Sequence, residues 1–251
     1  MKYMGSKARI AEYILPIILD GRKKDQWYVE PFVGGANMID KVHGNRMGAD
    51  VDENTIDALL VIQNHLDMIP TSGMDFTESD YKCIRSIKRP LRGFFGYAYS
   101  YGGKWMGGWG RDSAGRRDYV AEAYRNATEQ SPKLSGVKFV CSSYDSLEIP
   151  PNSIIYCDPP YASTTAYKTG AFDHPAFWQW CRDTGKAGHS VFVSEYNAPE
   201  DFECLWEGTI VSSLTKDTGS KKAVERLFMH KSIASPFLSR ASKRFAQQFL
   251  F

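Results

Sequence analysis

An aspartate, two prolines and a tyrosine close an apolar run in SIIYCDPPY, residues 153 to 161, and no other segment so clearly holds residue types suited to chemistry. Proline cannot donate to a sheet ladder, so Pro159 and Pro160 would end a strand at its carboxyl edge, where ligands sit in open α/β sheets. The amino group of a nucleobase is a poor nucleophile because its lone pair is delocalised into the ring. Two acceptors, a carboxylate and a backbone carbonyl, would draw such an amine toward tetrahedral geometry. Asp158 supplies the carboxylate, and the Pro159 carbonyl is available because no regular ladder continues through it. Positive charge develops on the nitrogen as a methyl group arrives, and preorganised acceptors help most where charge develops. Tyr161 offers an aromatic face to a base removed from a duplex. Asp158, Pro159, Pro160 and Tyr161 are therefore the candidate catalytic residues; the plainer alternative is a Pro-Pro turn after a buried strand.

Three further segments could hold a nucleotide-like ligand. In WYVEPFVGGANM, residues 27 to 38, a short strand and an acid lead into a Gly-Gly turn, which permits close backbone approach to a ligand or simple strand-to-helix packing. The pattern is not a full G-x-G-x-x-G, since Ala36 stands where a third glycine would be. In RMGADVDENTIDAL a strand ends in Asp50, placed to accept ribose hydroxyls, with Asp52 and Glu53 left to begin the next helix. At the start, KYMGSK combines Tyr3, Gly5 and Lys7.

The elements that must position these residues follow from periodicity. Strand-like runs fall at residues 27–30, 46–50, 137–141, 153–157, 190–195, 209–214 and 224–230. Residues 7–19 place Ile10, Ile14 and Ile17 on one helical face, and residues 54–66 do the same with Ile56, Leu59, Leu60 and Ile62. Strands alternating with helices predict an α/β protein with a largely parallel, Rossmann-like sheet. The alternation fails from about residue 70 to 132, where eight glycines lie among Phe94, Phe95, Tyr97, Tyr99, Tyr101, Trp105 and Trp109. Such glycine density suits turns and hairpins and predicts an inserted subdomain over 69–133. The insertion divides the main domain into 1–68 and 134–235, followed by a basic, aromatic tail at 236–251.

The charge is unevenly placed. From Arg85 to Arg117 there are eight Lys/Arg against Asp112, so this stretch carries +7 while the remainder carries −5. A basic segment on an acidic body predicts a polyanionic partner. Arg89, Arg92, Lys104, Arg111, Arg116 and Arg117 are the candidate phosphate or base contacts there, with Arg85 and Lys88 beside them. Lys216, Lys221 and Lys222 form a second basic group, and Arg240, Lys243 and Arg244 lie beside Phe237, Ala241, Phe245 and Phe249 at helical spacing, a pattern that suits docking on the core better than a DNA-facing arm. The alternative for the insertion is a small aromatic core with arginines on a solvated face. Five cysteines without a Cys-x-x-Cys pair suggest a reducing compartment, and neither cysteines nor histidines show metal-ligand spacing, so no metal is expected. No run approaches a membrane span, and a soluble, cytoplasmic protein is expected.

Together, YMGSK at 3–7, EPFVGGANM at 30–38, AD at 49–50 and DPPY at 158–161 resemble the Dam-like (D12 class, alpha group) adenine-N6 DNA methyltransferases, in which these motifs occur in the same order. The resemblance extends to SEYNAP at 194–199 and SKKAVERLF at 220–228. It implies a Rossmann-like S-adenosylmethionine-dependent methyltransferase fold, its last strand antiparallel, with an inserted target-recognition subdomain. It implies double-stranded DNA as partner, no membrane and no required metal, a monomer or weak dimer, and a bacterial or phage-infected cytoplasm, a phage or prophage type being one form. By resemblance Tyr3, Lys7 and Asp50 would contact S-adenosylmethionine, Phe32 and Gly34 would line its methionine side, and Tyr144 would neighbour its adenine. Asp158 would touch both cofactor and target amine. Direct in-line transfer requires sulfonium carbon and nitrogen held about 3–3.5 Å apart. Tyr3 replaces a tryptophan common in enteric Dam proteins, and the insertion matches poorly, so no recognition sequence transfers. An RNA adenine methyltransferase, a cytosine-N4 enzyme and a non-enzymatic DNA-binding protein of this fold are the alternatives.

Overall fold

Among the described residues, seven segments form strands: β1 (Tyr28–Glu30), β2 (Arg46–Asp50), β3 (Val137–Cys141), β4 (Ile154–Cys157), β5 (Ser190–Glu195), β6 (Phe202–Ser212) and β7 (Lys221–His230). The computed structural model describes residues 1–112, 114–161, 172–212, 221–234 and 237, with side chains described except from 210 to 223. The strands form one seven-stranded sheet of order β3-β2-β1-β4-β5-β7-β6. The pairs β2 with β3, β1 with β4 and β4 with β5 are parallel, while β7 runs antiparallel to both β5 and β6. This is the expected Rossmann-like α/β sheet with its antiparallel final strand. Both β1 and β4 are buried at every residue, which explains why β4 reads as an unbroken apolar run rather than an alternating one, while β1 ends in the buried Glu30.

The chain forms two compact units, one of Met1–Ala11 with Glu30–Leu147, the other of Glu12–Val29 with Glu148–Phe251. In the first, α2 (Glu53–Asn64) starts at Asp52, whose carboxylate caps it by accepting from the Asn54 N–H. Neighbouring α2 are β3, α4 (Leu91–Ala98) and α5 (Tyr119–Leu134), so Thr55, Ile56, Ala58, Leu59, Val61 and Ile62 are all buried. The narrower predicted face missed Val61 and included Leu60, which is half-buried, because α2 is covered from several sides.

The glycine-rich stretch departs from the expected hairpins. Between α3 (Glu78–Lys82) and α5 it forms helix α4, and its β content among the described residues is a single bridge, Ser100 to Trp109. Glycine weakens a helix by roughly 1 kcal/mol relative to alanine, yet α4 contains Gly93 and Gly96. Packing explains both. A Cβ at Gly93 would lie 2.5 Å from the Asn54 carbonyl oxygen on α2, and one at Gly96 would lie 2.1 Å from the Trp105 ring. Phe94, Phe95, Tyr97 and Tyr99 are buried, with Phe95 stacked on Tyr99 at 5.3 Å and Phe76 packed against both. These aromatics build a small core, the plainer of the two sequence readings; Tyr101, 61 % exposed, is the exception. Helices α3, α4 and α5 lie in the same compact unit as β2 and β3.

Helix α1 (Ala11–Ile18), in the second unit from Glu12 onward, starts four residues later than the periodicity predicted and buries Ile14, Leu15 and Ile18, with Ile17 only half-buried. Helix α6 (His174–Lys186) is capped by the Asp173 carboxylate, which accepts from the Ala176 N–H at 2.9 Å. Strand β6 begins at Phe202 rather than residue 209. Its early half was hidden by Glu203 and Glu207 and by a bulge between Cys204 and Trp206 that breaks the period-2 pattern. Phe237 meets Phe192 of β5 edge-on at 5.2 Å. Among the described residues no helix is long and apolar enough to cross a membrane, and no cluster of His, Cys, Asp and Glu could hold a metal ion.

Candidate active site

The first compact unit contains six of the residues predicted to contact a cofactor, Tyr3, Lys7, Phe32, Gly34, Asp50 and Tyr144, whereas the seventh, Asp158, lies in the second. Asp50 ends β2, and its carboxylate accepts from the Gly34 N–H at 3.2 Å and from the Asp52 N–H at 2.9 Å. A carboxylate has about four acceptor positions, so two remain for a ligand. Loss of water around the group raises its pKa to about 6; the two N–H bonds oppose this, and the Asp52 charge adds to it.

The Gly-Gly turn serves close approach, though of a protein ring. Gly34 has φ +46°, and a Cβ there would lie 2.8 Å from the Tyr3 ring; a Cβ at Gly35 would lie 2.6 Å from Tyr3 Cβ. Ala36, which stands where a third glycine would be, also adopts the left-handed region at φ 57°. Its N–H donates to the Val33 carbonyl at 2.8 Å, holding the turn despite the side chain. Lys7 is buried and donates to the Gly5 carbonyl at 3.2 Å. Phe32 and Tyr144, expected at opposite ends of one ligand, stack on each other with centroids 5.5 Å apart.

Tyr97 of α4 was not among the predicted site residues. Its hydroxyl donates to Asp52 at 2.6 Å and accepts from Thr55 at 3.0 Å, and its ring lies 5.2 Å from that of Tyr3. Burial and the bond to Asp52 raise its pKa, so it stays a donor. Only its place in an aromatic-rich segment hinted at it.

The second unit holds the predicted catalytic segment. The register Cys157 to Val193 carries β4 to the residue before Asp158, which is half-buried at the strand's carboxyl end. Pro159 is buried behind it. Tyr161 is 8 % exposed, meets Tyr196 edge-on at 4.6 Å and donates from its hydroxyl to Glu225 on β7 at 2.6 Å. Tyr196 and Glu225 were not predicted site residues, although both fall in segments that carried the family resemblance.

The predicted DNA contacts divide into two groups. The Arg89 guanidinium donates twice to the Asp57 carboxylate, once at 2.9 Å, and pairs with Glu53. Arg111 pairs with Glu78 and Arg117 with Glu122. Arg92, Lys104 and Arg116 make no ion pair among the described residues, and Lys104 and Arg116 are exposed. The backbones of Lys221 and Lys222 lie in β7, but their side chains are outside the described residues, as are Lys216, Arg240, Ala241, Lys243, Arg244, Phe245 and Phe249.

No family model matches the chain. It is similar to the type II methyltransferase M.FokI of Planomicrobium okeanokoites, 24% identical over 214 residues that cover 72% of this chain and 31% of that protein. The chain thus spans about a third of that relative's length. Among solved structures, it is similar to a Listeria monocytogenes protein assigned as a class I S-adenosylmethionine-dependent methyltransferase, with 10% identity, TM-score 0.39, and coverage of 92% of this chain and 61% of that one. Another, assigned as a methyltransferase and complexed with SAH, has 12% identity, TM-score 0.33, and coverage of 90% and 53%.

Proposed function

We propose that the chain is an S-adenosylmethionine-dependent methyltransferase of the Dam-like group that modifies the N6 amino group of adenine in double-stranded DNA. The observation that carries this reading is the placement of Asp158-Pro159-Pro160-Tyr161 at the carboxyl end of β4, a strand buried at every residue. The likeness to a type II methyltransferase supports it. In this reading Asp158 and the Pro159 carbonyl accept the two N–H bonds of the amine, Pro159 and Pro160 keep the strand from continuing past it, and the Tyr161 ring bounds the base. S-adenosylmethionine, when bound, supplies a methyl group activated on sulfur. The remaining acceptor capacity of Asp50 fits ribose hydroxyls, and Tyr3, Lys7, Phe32, Gly34 and Tyr144 complete the cofactor's surroundings. Residues 69–133 act as the target-recognition segment within a catalytic domain of 1–68 and 134–235. The test is incubation of unmodified plasmid with protein and cofactor, then modification-sensitive sequencing. N6-methyladenine at a recurrent motif is expected; N4-methylcytosine, or transfer to structured RNA alone, would replace this reading.

Asp50 makes cofactor binding depend on pH. Its pKa is raised from 3.8 to about 6, so in the folded chain the group gives up its proton less readily. The stability it contributes is present below pH 3.8 and lost as pH rises to about 6. A ribose acceptor needs the ionised form, which works in the opposite direction: affinity for S-adenosylmethionine should fall about tenfold per pH unit below about 6. Calorimetric titration between about pH 5 and 8 should show this inflection, and D50N, which keeps an acceptor oxygen but cannot titrate, should bind more weakly without it. An unchanged inflection in D50N would assign the titration to another group.

A further inference from the structure

The buried face of β7 carries a charge where strand patterning calls for an apolar side chain. Glu225, Leu227 and Met229 alternate along it and are 9 %, 0 % and 0 % exposed. An apolar residue at 225 would complete that face, whereas a carboxylate loses hydration there and must be compensated by hydrogen bonds. The compensation includes the Tyr161 hydroxyl, which donates to Glu225 Oε2 at 2.6 Å. The other side of the Tyr161 ring contact is fixed too. Tyr196, edge-on to Tyr161, donates its N–H to the Glu195 carboxylate at 2.7 Å. Its carbonyl accepts from Arg226, which pairs with Glu207. Glu225 of β7 thus holds Tyr161 directly, while Glu195 of β5 and Arg226 of β7, itself paired with Glu207 of β6, hold its ring neighbour Tyr196.

We infer that Glu225 is a positioning residue: by holding the Tyr161 hydroxyl it fixes that ring in the same segment as Asp158, and so sets how a target base is held against the acceptor pair. The inference rests on the methyl-transfer reading above. It assigns the Tyr161 hydroxyl to the protein frame, leaving the ring for the base and the amine protons to Asp158. Burial first, then the charges of Asp158 and Glu225, push the Tyr161 pKa well up, which keeps the phenol a donor to Glu225.

The test is single-turnover tritium transfer from labelled S-adenosylmethionine to duplex DNA, with cofactor affinity measured separately. Y161F and E225A should each lower the rate at saturation about tenfold or more and leave cofactor affinity unchanged. The double variant should be no slower than E225A alone, because both changes remove one bond. E225Q, whose amide oxygen accepts the same bond, should recover most of the rate. Effects that multiply in the double variant, or an E225Q as slow as E225A, would overturn the inference while methyl transfer by the parent stands. Should E225A fail to fold, the comparison of Y161F with E225Q decides: a slow Y161F beside a near-parental E225Q supports it, and two parental rates or two slow ones refute it. If the parent itself transfers no tritium, the methyl-transfer reading falls and the inference with it.

Discussion

Asp158→Ala should lower the rate of methyl transfer by about 100- to 1,000-fold, the cost of removing one preorganised group that stabilises developing charge. The alanine leaves Pro159 and Pro160, and hence the Pro159 carbonyl, in place, so one of the two acceptors survives. Residual turnover above background is therefore expected. Asp158 is half-buried at the end of a strand whose four residues lie entirely in the core, so the substitution removes charge without opening a large cavity. The urea midpoint should accordingly stay close to the parent's. Single-turnover tritium transfer at saturating cofactor isolates the chemical step from any change in binding. A variant with near-parental turnover would remove Asp158 from the reaction and leave its segment as a Pro-Pro turn that only ends a strand.

Strand β4 was legible because its physics is local. A buried parallel strand reads as an unbroken apolar run, and the two prolines mark its end whatever surrounds them. Arg46–Asp50 and Val137–Cys141 were also bounded correctly, although β3 is only partly buried and includes Lys138. Asp52 was legible as a cap, since capping depends on residues two and three positions away. What escaped reading depended on distant partners. Gly93 and Gly96 looked like turn residues until α2 and Trp105 supplied the surfaces they pack against. Tyr97 shows the same limit, its partner Asp52 lying 45 residues earlier. Glu225 carried a signal that could have been used: in the run VERLFMH, alternation places a carboxylate on the side of Leu227 and Met229. A charge on an apolar face asks for a partner, but nothing in the spacing names Tyr161, 64 residues away. The basic segment was legible as a charge excess and illegible as a set of contacts, because the acids that pair with Arg89 and Arg111, namely Glu53, Asp57 and Glu78, all precede that segment in the chain.

That pairing separates two triple variants that the sequence treats alike. R92A/K104A/R116A removes cations that have no ion-pair partner among the described residues, whereas R89A/R111A/R117A removes cations already held by carboxylates. If the segment holds DNA, removing each cation that meets a phosphate should reduce the magnitude of the salt slope by about 0.9. The first variant should then flatten the slope by about 3 and weaken binding by about 100-fold or more near 0.1 M salt, alike for all sequences if all three touch phosphate. A side chain that reads a base instead should, on removal, relax specificity at one position, at a cost of about 1–3 kcal/mol. The second variant should change DNA binding less and stability more. Arg89 in particular leaves behind Asp57, which is 6 % exposed and would be deprived of two charge-assisted hydrogen bonds. Neither variant should alter affinity for S-adenosylmethionine, since Asp50 and the Gly-Gly turn bond to one another without these cations. Fluorescence anisotropy on duplexes of unrelated sequence, at several salt concentrations, measures slope and affinity together. Equal slopes for the parent and R92A/K104A/R116A would show that these cations do not meet phosphate and would move the DNA-holding role to the basic group at Lys216, Lys221 and Lys222.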